Sequence, residues 1–191
     1  MFSGIIMNIG KIVAYDKLKS TLSIESSIKN VSLGDSICCS GVCLTIMNIK
    51  KKIIEFNIST ETKQKTNLMN LNIGDLINLE KSLKVGDEIN GHFVFGHVDG
   101  LSRIEKIKHL KDSKVLEFYA DKNIMKFLSP KCSIAVDGIS LTVNNLSKNG
   151  FSVSIIPFTW QNTSLKNIEE GNLVNTEVDM LARYVFKALK K

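Results

Sequence analysis

The chain holds three histidines, and two of them, His92 and His97, lie within one short glycine-flanked run at 91–100. A neutral imidazole accepts a proton near physiological pH, so either ring is a candidate general base. If the run is a strand, its period of two points the rings to opposite faces, which argues against a shared metal ion. A structural role for both rings is the alternative.

Cys43 is the second candidate, because a thiolate is a strong nucleophile and can also exchange protons. It lies in the run 36–49, which recurs at 133–146, and the matching residue of the second copy is Ser140. The two copies therefore differ at a position that could carry chemistry. A buried structural cysteine is the alternative.

Two other polar side chains stand at the ends of expected elements. Ser36 begins the first run and Ser133 the second, and a hydroxyl there often only bonds a neighbouring amide. Asp179 precedes a tail with helical spacing, where an N-cap is the simplest interpretation. Spacing alone assigns chemistry to none of them.

These candidates belong to a chain that contains one pattern twice. Of the fourteen positions in 36–49 and 133–146, six are identical at an offset of 97, and they include Gly-x-x-Leu-Thr. The match continues at the same offset between 66–80 and 163–177. One fixed offset over more than forty residues indicates a duplicated domain rather than a solenoid of short repeats.

We therefore predict an N-terminal domain at 1–88, a C-terminal domain at 89–179 and a helix at 180–191. Short apolar strands between Gly, Asn and Lys turns favour two small antiparallel barrels or sandwiches. The predicted strands are 2–13, 21–25, 37–49, 52–59, 74–80, 91–107, 114–119, 133–146, 150–156 and 172–178. Two short helices are predicted at 26–31 and, with Asp121 as N-cap, at 121–129. The tail helix is marginal alone, so it should self-associate or pack on its own barrel.

Composition narrows the class of protein. The 191 residues are 43% hydrophobic and carry a net charge of +6, but Arg103 and Arg183 are the only arginines. Readers of nucleic acid usually rely on arginine, so nucleic-acid binding is not expected. No apolar run is long enough to span a membrane, and the N-terminus lacks the pattern of a signal peptide. The four cysteines lack a zinc-like spacing, and we expect a cytoplasmic protein without a metal.

Six motifs together resemble the alpha-chain type of riboflavin synthase, along the whole chain and in the same order. They are Met1-Phe-Ser-Gly-Ile5, Gly41-Val-Cys-Leu-Thr45, the run 91–100, Asp137-Gly-Ile-Ser-Leu-Thr142, Ile156-Pro157 and Glu177-Val-Asp-Met-Leu-Ala-Arg-Tyr184. The resemblance implies an all-β fold of two tandem six-stranded Greek-key barrels with a C-terminal α-helix that mediates a homotrimer. Association with lumazine synthase is a further expectation of the same kind.

The resemblance also implies a reaction. Two molecules of 6,7-dimethyl-8-ribityllumazine would dismute to riboflavin and 5-amino-6-ribitylaminouracil, without cofactor or metal. This chemistry needs a proton removed from the C7 methyl of one ring, a nucleophile or water at C7 of the other, and two stacked rings. Each barrel would bind one lumazine, and an active site would pair the N-terminal barrel of one subunit with the C-terminal barrel of its neighbour.

Site residues follow from the motif positions. The catalytic positions implied are Ser36, Cys43, His97 and Asp179. The implied lumazine-binding positions of the first copy are Gly4, Ile5, Ile6, Cys43, Leu44, Thr45, Asn57, Ile58, Ser59, Thr60, Glu61 and Thr62. Those of the second copy are Gly96, His97, Val98, Lys131, Ser140, Leu141, Thr142, Ile155, Ile156, Pro157, Phe158, Thr159 and Trp160. Since Cys43 stands opposite Ser140 in the repeat, the first copy is expected to be the catalytic one.

Two other classes remain as alternatives. A non-catalytic lumazine- or flavin-binding protein could use the same duplicated barrels, although it would be expected to lose the Cys, His or Asp set. A flavin-reductase barrel is disfavoured, because no nucleotide-binding domain follows.

Overall fold

The computed structural model describes residues 1–16 and 18–189, and their strands form two closed antiparallel barrels. The N-barrel has the strand order β1-β2-β5-β4-β3-β6, and the C-barrel has the order β10-β11-β8-β7-β12-β9. The prediction of two six-stranded barrels is confirmed. The strands of the N-barrel are β1 Asn8–Asp16, β2 Thr21–Glu25, β3 Ser36–Cys39, β4 Val42–Lys50, β5 Ile53–Asn57 and β6 Leu76–Lys81. Those of the C-barrel are β7 Gly100–His109, β8 Lys114–Tyr119, β9 Ser133–Val136, β10 Ile139–Ser147, β11 Gly150–Ile155 and β12 Leu173–Val178.

Short helices connect the strands, and a longer one ends the described chain. They are α1 Thr60–Lys65, α2 Lys122–Met125, α3 Pro157–Asn162 and α4 Met180–Leu189. One-turn 3-10 helices follow α1 and α3, at Asn67–Met69 and Ser164–Asn167. The predicted tail helix is present as α4, and the last two residues of that prediction, 190–191, lie outside the described residues. No helix within the described ranges is long and apolar enough to cross a membrane.

Each long apolar run predicted as one strand is a β-hairpin. The first run folds back at Ser40-Gly41 and the second at Asp137-Gly138, and all four residues have positive φ. Two positive φ values in a two-residue turn match the twist of the flanking strands, and glycine adopts them without steric strain. A run of β-branched and apolar residues on both sides concealed the turn. Hydrophobic periodicity therefore recognised the strands but not the reversal between them.

Other predictions also need correction. The strand predicted at 2–13 is wrong over its first half, because β1 begins only at Asn8. The helix at 26–31 is wrong, because these residues form an irregular connection. The run 91–107 joins a ladder only from Gly100, so the period-two argument about the histidines does not apply. Helix α2 begins after its predicted cap Asp121 but ends at Met125. Helices α1 and α3 were missed, since each is only six residues long and lacks a buried stripe.

The barrels meet across a reciprocal set of hydrogen bonds. Asn78 of the N-barrel donates to the Asp137 carbonyl at 2.9 Å and accepts from the Ser164 amide at 2.7 Å. Its counterpart Asn175 donates to the Ser40 carbonyl at 2.7 Å and accepts from the Asn67 amide at 2.8 Å. Because each bond has an equivalent at the offset of 97, the two barrels are related by a pseudo-two-fold axis.

Glycine allows the barrels to approach at this axis. A Cβ on Gly41 would lie 2.9 Å from the Gly138 nitrogen, and one on Gly138 would lie 2.7 Å from the Gly41 nitrogen. Both contacts are shorter than real Cβ atoms tolerate, so the two hairpin turns can touch only without side chains. The duplicated turn therefore serves as the contact between the two copies.

Asp137, beside this contact, should make stability depend on pH. Burial raises its pKa from 3.8 to about 7. Between about pH 4 and pH 7 the folded protein then holds a proton that the unfolded chain has lost. The contribution of Asp137 to the free energy of unfolding is therefore fully present below about pH 4 and is lost as the pH rises to about 7. A shift of this size corresponds to on the order of 4 kcal/mol.

The free energy of unfolding, measured by urea titration at several pH values, should decline across this window. In Asp137→Asn, which keeps an oxygen to accept from the Asn175 amide, the decline should be much smaller. Equal slopes in both proteins would contradict this assignment of the pH dependence to Asp137.

Candidate functional site

Two segments that lead into the barrels cross over to the opposite copy. The Ser140 amide of the C-barrel donates to the Gly4 carbonyl at 2.8 Å, and the Cys43 amide of the N-barrel donates to the Gly96 carbonyl at 2.9 Å. The side chain of Ile6 packs on the C-barrel core, and that of Val98 packs on the N-barrel core. The order along the chain groups each segment with its own copy, but the contacts are exchanged. The first segment borders the second barrel, and the second segment borders the first.

A two-residue bridge joins the crossing segments to each other. The Phe2 amide donates to the Val94 carbonyl at 2.7 Å, and the Val94 amide donates back at 3.0 Å. Both side chains are fully buried, and they pack with Cys38 and Ala135 between the barrels. The crossing segments are thus held by the interface of the two barrels rather than by either sheet.

Buried carboxylates hold the turn of each segment. Glu80 accepts from the Ser3 amide and hydroxyl at 2.8 Å and from the Gly4 amide at 3.0 Å. Glu177, its counterpart at the offset of 97, accepts from the Phe95 amide at 2.7 Å and the His97 amide at 2.8 Å. Burial raises the pKa of both carboxyls, and the hydrogen bonds from backbone amides oppose that rise. Sequence reasoning missed this pair, although the aligned Glu80 and Glu177 already end the repeat.

The N-barrel pocket gathers Cys43 and His97. It is a cavity of about 250 Å³ at the outer face of β4. Its lining is contributed by the hairpin, by α1 and by the crossing segment: Val42, Cys43, Glu61, Thr62, Lys65, Thr66, Gly96, His97 and Val98. The predicted nucleophile and one predicted base therefore share a pocket, and the base arrives from the other half of the chain.

In the C-barrel the counterpart of Cys43 is Ser140, and the histidine beside it is His92 rather than His97. His92 is buried, and its Nδ1 lies 2.7 Å from Ser140 Oγ. The His92 amide also donates to the Ser3 carbonyl at 3.1 Å, which anchors the ring against the N-terminal segment. Gly91 permits this approach, since a Cβ there would lie 2.1 Å from the same carbonyl oxygen.

Two influences act on the pKa of the His92 ring: its burial and one nearby carboxylate. Burial lowers the pKa of His92, and the nearby Asp179 carboxylate acts in the opposite direction. Among the described residues, Nε2 of this ring has no hydrogen-bond partner. A neutral ring can accept the Ser140 proton at Nδ1, which is the arrangement that a general base requires.

Not every predicted position presents its side chain to a pocket. The residues that alternate with Cys43, Thr45, Ser140 and Thr142 point into the barrels. Leu44 and Leu141 are these inward residues. Ile58, which follows β5, and Ile155, which ends β11, are buried as well, and all four belong to the hydrophobic cores. They can shape a pocket only through their backbone or by supporting their neighbours.

The predicted sites differ most in the helix that closes each one. In α1 the first turn carries Glu61 and Thr62, whereas the equivalent turn of α3 carries Phe158 and Thr159. Phe158 is 71% exposed and Ile156 is 58% exposed, so the rim of the C-barrel site is apolar where that of the N-barrel is polar. The side chain of Trp160, next along α3, lies under the Lys114 ammonium at 4.6 Å.

The remaining predicted positions lie near the sites without a direct bond to them. Ser36 pairs with Thr45 at the far end of the β3–β4 hairpin, on the same outer face as Cys43. Lys131 has an exposed side chain and bonds the Val143 carbonyl through its amide. Asn57, Ser59, Thr60 and Pro157 are exposed at the starts of the two helices.

A larger cavity, of about 390 Å³, lies between the barrels on another face. Five of its thirteen lining residues are asparagine, and it contains none of the predicted site residues. We place the functional site at the smaller pocket instead, because that pocket alone joins a thiol to an imidazole among the cavities described.

Comparison with known proteins agrees with the duplicated fold. The lumazine binding domain matches the chain twice, at residues 3–82 and 95–179. The riboflavin synthase of Buchnera aphidicola subsp. Schizaphis graminum is 40% identical and covers 100% of this chain and 95% of its own length. That of Bacillus subtilis is 34% identical, over 100% of this chain and 91% of its own.

Among solved structures, LumP complexed with riboflavin aligns with a TM-score of 0.85 at 21% identity. The alignment covers 93% of this chain and 99% of LumP, and at that identity it shows a shared fold. The two domain matches and the full-length relatives show more than the fold. The chain belongs to the riboflavin synthase family, whose members it matches along its whole length with a lumazine-binding domain in each half.

Proposed function

We propose that the protein converts two molecules of 6,7-dimethyl-8-ribityllumazine to riboflavin and 5-amino-6-ribitylaminouracil. The observation that carries this proposal is the pair of equivalent positions, Cys43 and Ser140, with different partners. Cys43 and His97 line one pocket, and Ser140 lies against His92 in the other copy. A reaction between two identical molecules that play different roles needs sites of this kind, related by the repeat and unlike in chemistry.

The reaction balances without a further reactant. One lumazine gives up a four-carbon unit and leaves as the pyrimidine, while the other gains that unit and becomes riboflavin. Holding two rings in a reactive arrangement can supply roughly 7–11 kcal/mol of the barrier. Most of the rate enhancement therefore comes from binding both rings, and acid–base groups provide the rest.

Proton transfer is assigned to the C-barrel site. Ser140 removes a proton from the C7 methyl of one lumazine and passes its hydroxyl proton to His92, which becomes an imidazolium. The deprotonated methyl carbon then attacks the second lumazine ring. Asp179 favours the protonated form of His92 that results, because its carboxylate acts on that ring. This division differs from the expectation that the first copy alone is catalytic.

Activation of the second lumazine is assigned to the N-barrel pocket. Cys43, or a water held there, adds at C7 of the ring, and His97 exchanges the proton that this addition requires. Ser36 lies further along the same outer face, where its hydroxyl can bond the substrate or a bridging water. Removing Cys43 in the variant Cys43→Ser tests whether the thiol or a water is the nucleophile.

Substrate contacts follow from the pocket linings. Backbone amides of the segments Gly4–Ile6 and Gly96–Val98 suit the uracil-like edge of the ring, as do the exposed hydroxyls of Thr45 and Thr142. Side chains at the helix starts, such as Ser59 and Glu61, suit the uncharged ribityl chain. Competition by ribitylated analogues in variants of these residues would separate the two groups of contacts.

A homotrimer would bring an N-barrel pocket of one subunit against a C-barrel site of the next. Helix α4 supports this proposal, because Leu181, Tyr184, Val185 and Leu189 are all at least 59% exposed on a helix too short to be stable alone. Light scattering should give the trimer mass. A monomer with full activity would contradict the shared site.

Two expectations rest on the family and on composition. A cytoplasmic location agrees with four cysteines that are all free thiols. Association with lumazine synthase would supply the substrate directly. Cell fractionation tests the first expectation, and co-purification of the two enzymes tests the second.

The direct test uses purified protein and the lumazine alone. Conversion should yield one riboflavin and one pyrimidine for every two lumazines consumed, followed by absorbance and chromatography, with no added cofactor. A second candidate, a non-catalytic binding protein, is favoured by the fold shared with LumP. Tight binding of the lumazine without turnover would support that candidate and overturn the proposal that the protein is an enzyme.

A further inference from the structure

We propose that Arg183 is a positioning residue: by pairing with Asp99 it fixes the first turn of α4, so that the Asp179 carboxylate stays beside His92. The inference rests on the proposed function for its catalytic consequence. Its structural part, the placement of Asp179, can be measured without any turnover.

The start of α4 has little local support. One residue, Asp179, separates the end of β12 from Met180, and its side chain caps the helix by accepting from the Leu181 amide at 2.9 Å. Helices of this length are marginal without tertiary contacts, and their ends fray first. Something outside the helix must therefore hold Asp179 in place.

Asp99 is the fixed point for this contact. Its amide donates to the Thr176 carbonyl at 2.9 Å, and its Oδ2 accepts from the Val178 amide at 2.9 Å, so β12 holds both its backbone and its carboxylate. Its Oδ1 accepts from the Arg183 guanidinium. The carboxylate thus joins the last strand of the C-barrel to the first turn of the helix.

Arg183 transmits that position to Asp179. The two residues are four apart, and the Arg183 amide donates to the Asp179 carbonyl at 3.3 Å, so they lie on neighbouring turns of one face. The guanidinium also lies over the Phe127 ring at 5.6 Å, and Phe127 makes an edge contact with Phe186 at 5.0 Å. The helix is therefore clamped at one turn, on the side that faces the C-barrel.

Burial makes this pair stronger than an ordinary surface pair. The Asp99 side chain is 13% exposed and that of Arg183 is 37% exposed, so water screens the interaction only in part. The first copy has no equivalent. Met7 takes the place of Asp99 there, since its amide donates to the Leu79 carbonyl at 3.2 Å as that of Asp99 does to the Thr176 carbonyl, and the repeat places Ser82 opposite Asp179. The clamp is specific to the C-barrel, where His92 and Ser140 lie.

The chain offers a matched control in its other arginine. Arg103 also pairs with a carboxylate, Glu105, and also lies over an aromatic ring, Tyr119, at 5.5 Å. Both charged side chains of that pair are about half exposed, and neither lies on α4. Arg103→Gln therefore removes the same kinds of contact without touching the helix.

The test compares Arg183→Gln and Asp99→Asn with wild type and with Arg103→Gln. The first readout is the pKa of His92, followed by NMR of the ring in the substrate-free full-length protein. Asp179, which caps α4, acts directly on this ring, Ser140 from β10 bonds it, and Glu80 binds the adjoining Ser3. Loss of Asp179 from its place should move the His92 pKa downward.

The direction of the shift distinguishes two explanations. In Arg183→Gln, removing a positive charge near the ring would by itself move the His92 pKa upward, whereas displacing the Asp179 carboxylate moves it downward. Asp99→Asn removes a negative charge, which lowers this pKa in either case, so that variant is compared by kcat and melting temperature. We expect a downward shift, kcat about 10- to 100-fold lower and KM changed much less, since misplaced groups lose rate rather than binding. Arg183→Lys should recover part of both, and the two single variants should not be additive.

A lower melting temperature with unchanged His92 pKa and kcat would show that Arg183 only anchors the helix, and would overturn the proposal. An upward shift would also overturn it. If wild type shows no turnover at all, the proposed function fails, and the NMR titration still decides whether Arg183 places Asp179.

Discussion

Replacing His92 with glutamine should lower kcat by about 10²–10⁴-fold, the range by which a positioned acid–base group accelerates a reaction. The reason is the 2.7 Å contact between His92 Nδ1 and Ser140 Oγ in a buried site. Glutamine keeps a polar side chain of similar length but cannot take up the proton. Steady-state formation of riboflavin, followed by absorbance, measures the loss.

The matched control for this variant is His109→Gln. His109 is exposed at the end of β7 and contacts only the Lys114 side chain among the hydrogen bonds described. Ser140→Ala should resemble His92→Gln, and the double variant should be little worse than either, because the two side chains act as one unit. A His92→Gln protein with nearly full kcat would move the base to the N-barrel pocket and to His97.

Replacing Asn175 with alanine should lower the free energy of unfolding by about 2–5 kcal/mol, because two buried partners lose their hydrogen bonds. The Asn67 amide would lack its acceptor, and the Ser40 carbonyl would lack its donor. Asn78→Ala removes the equivalent bonds on the other side of the axis and should be destabilising to a similar degree. Urea titration followed by circular dichroism measures both.

Asn144→Ala provides the control, since the side chain of this partly exposed asparagine on β10 bonds only the Ser154 hydroxyl in the structure as described. Its effect should stay within about 0.5 kcal/mol. The crossing segments depend on the barrel interface, so Asn175→Ala should also weaken lumazine binding. An unchanged unfolding curve would mean that the barrels are held together by their apolar contacts alone.

The sequence predicted the fold well, and the reason is periodicity. Strands such as Thr21–Glu25 and Lys114–Tyr119 were predicted with their observed bounds, because alternating burial appears directly as alternating residue types. The hairpin turns at Ser40-Gly41 and Asp137-Gly138 were missed. Those turns are defined by positive backbone φ angles, and the glycine is the only residue type there that indicates them.

The candidate site was predicted only in part. Cys43 and His97 were recognised, and the structure brings them into one pocket. His92 was one of two candidate bases but was left out of the predicted site, because nothing in its neighbourhood along the chain shows that Ser140, forty-eight residues away, lies against its ring. The fixed offset of the repeat correctly paired Ser140 with Cys43, but offset says nothing about which segment completes which pocket.

By itself the sequence determined that the molecule is a duplication, which residue types differ between the copies, and that each copy consists of short antiparallel strands. Those properties follow from local patterns and from comparison of one half with the other. Only the tertiary structure decided that Gly4 lies against Ser140 and Gly96 against Cys43. That exchange arises because two related barrels pack about a pseudo-two-fold axis. The sequence does not show it, because contacts between the two copies produce no periodic pattern of residue types.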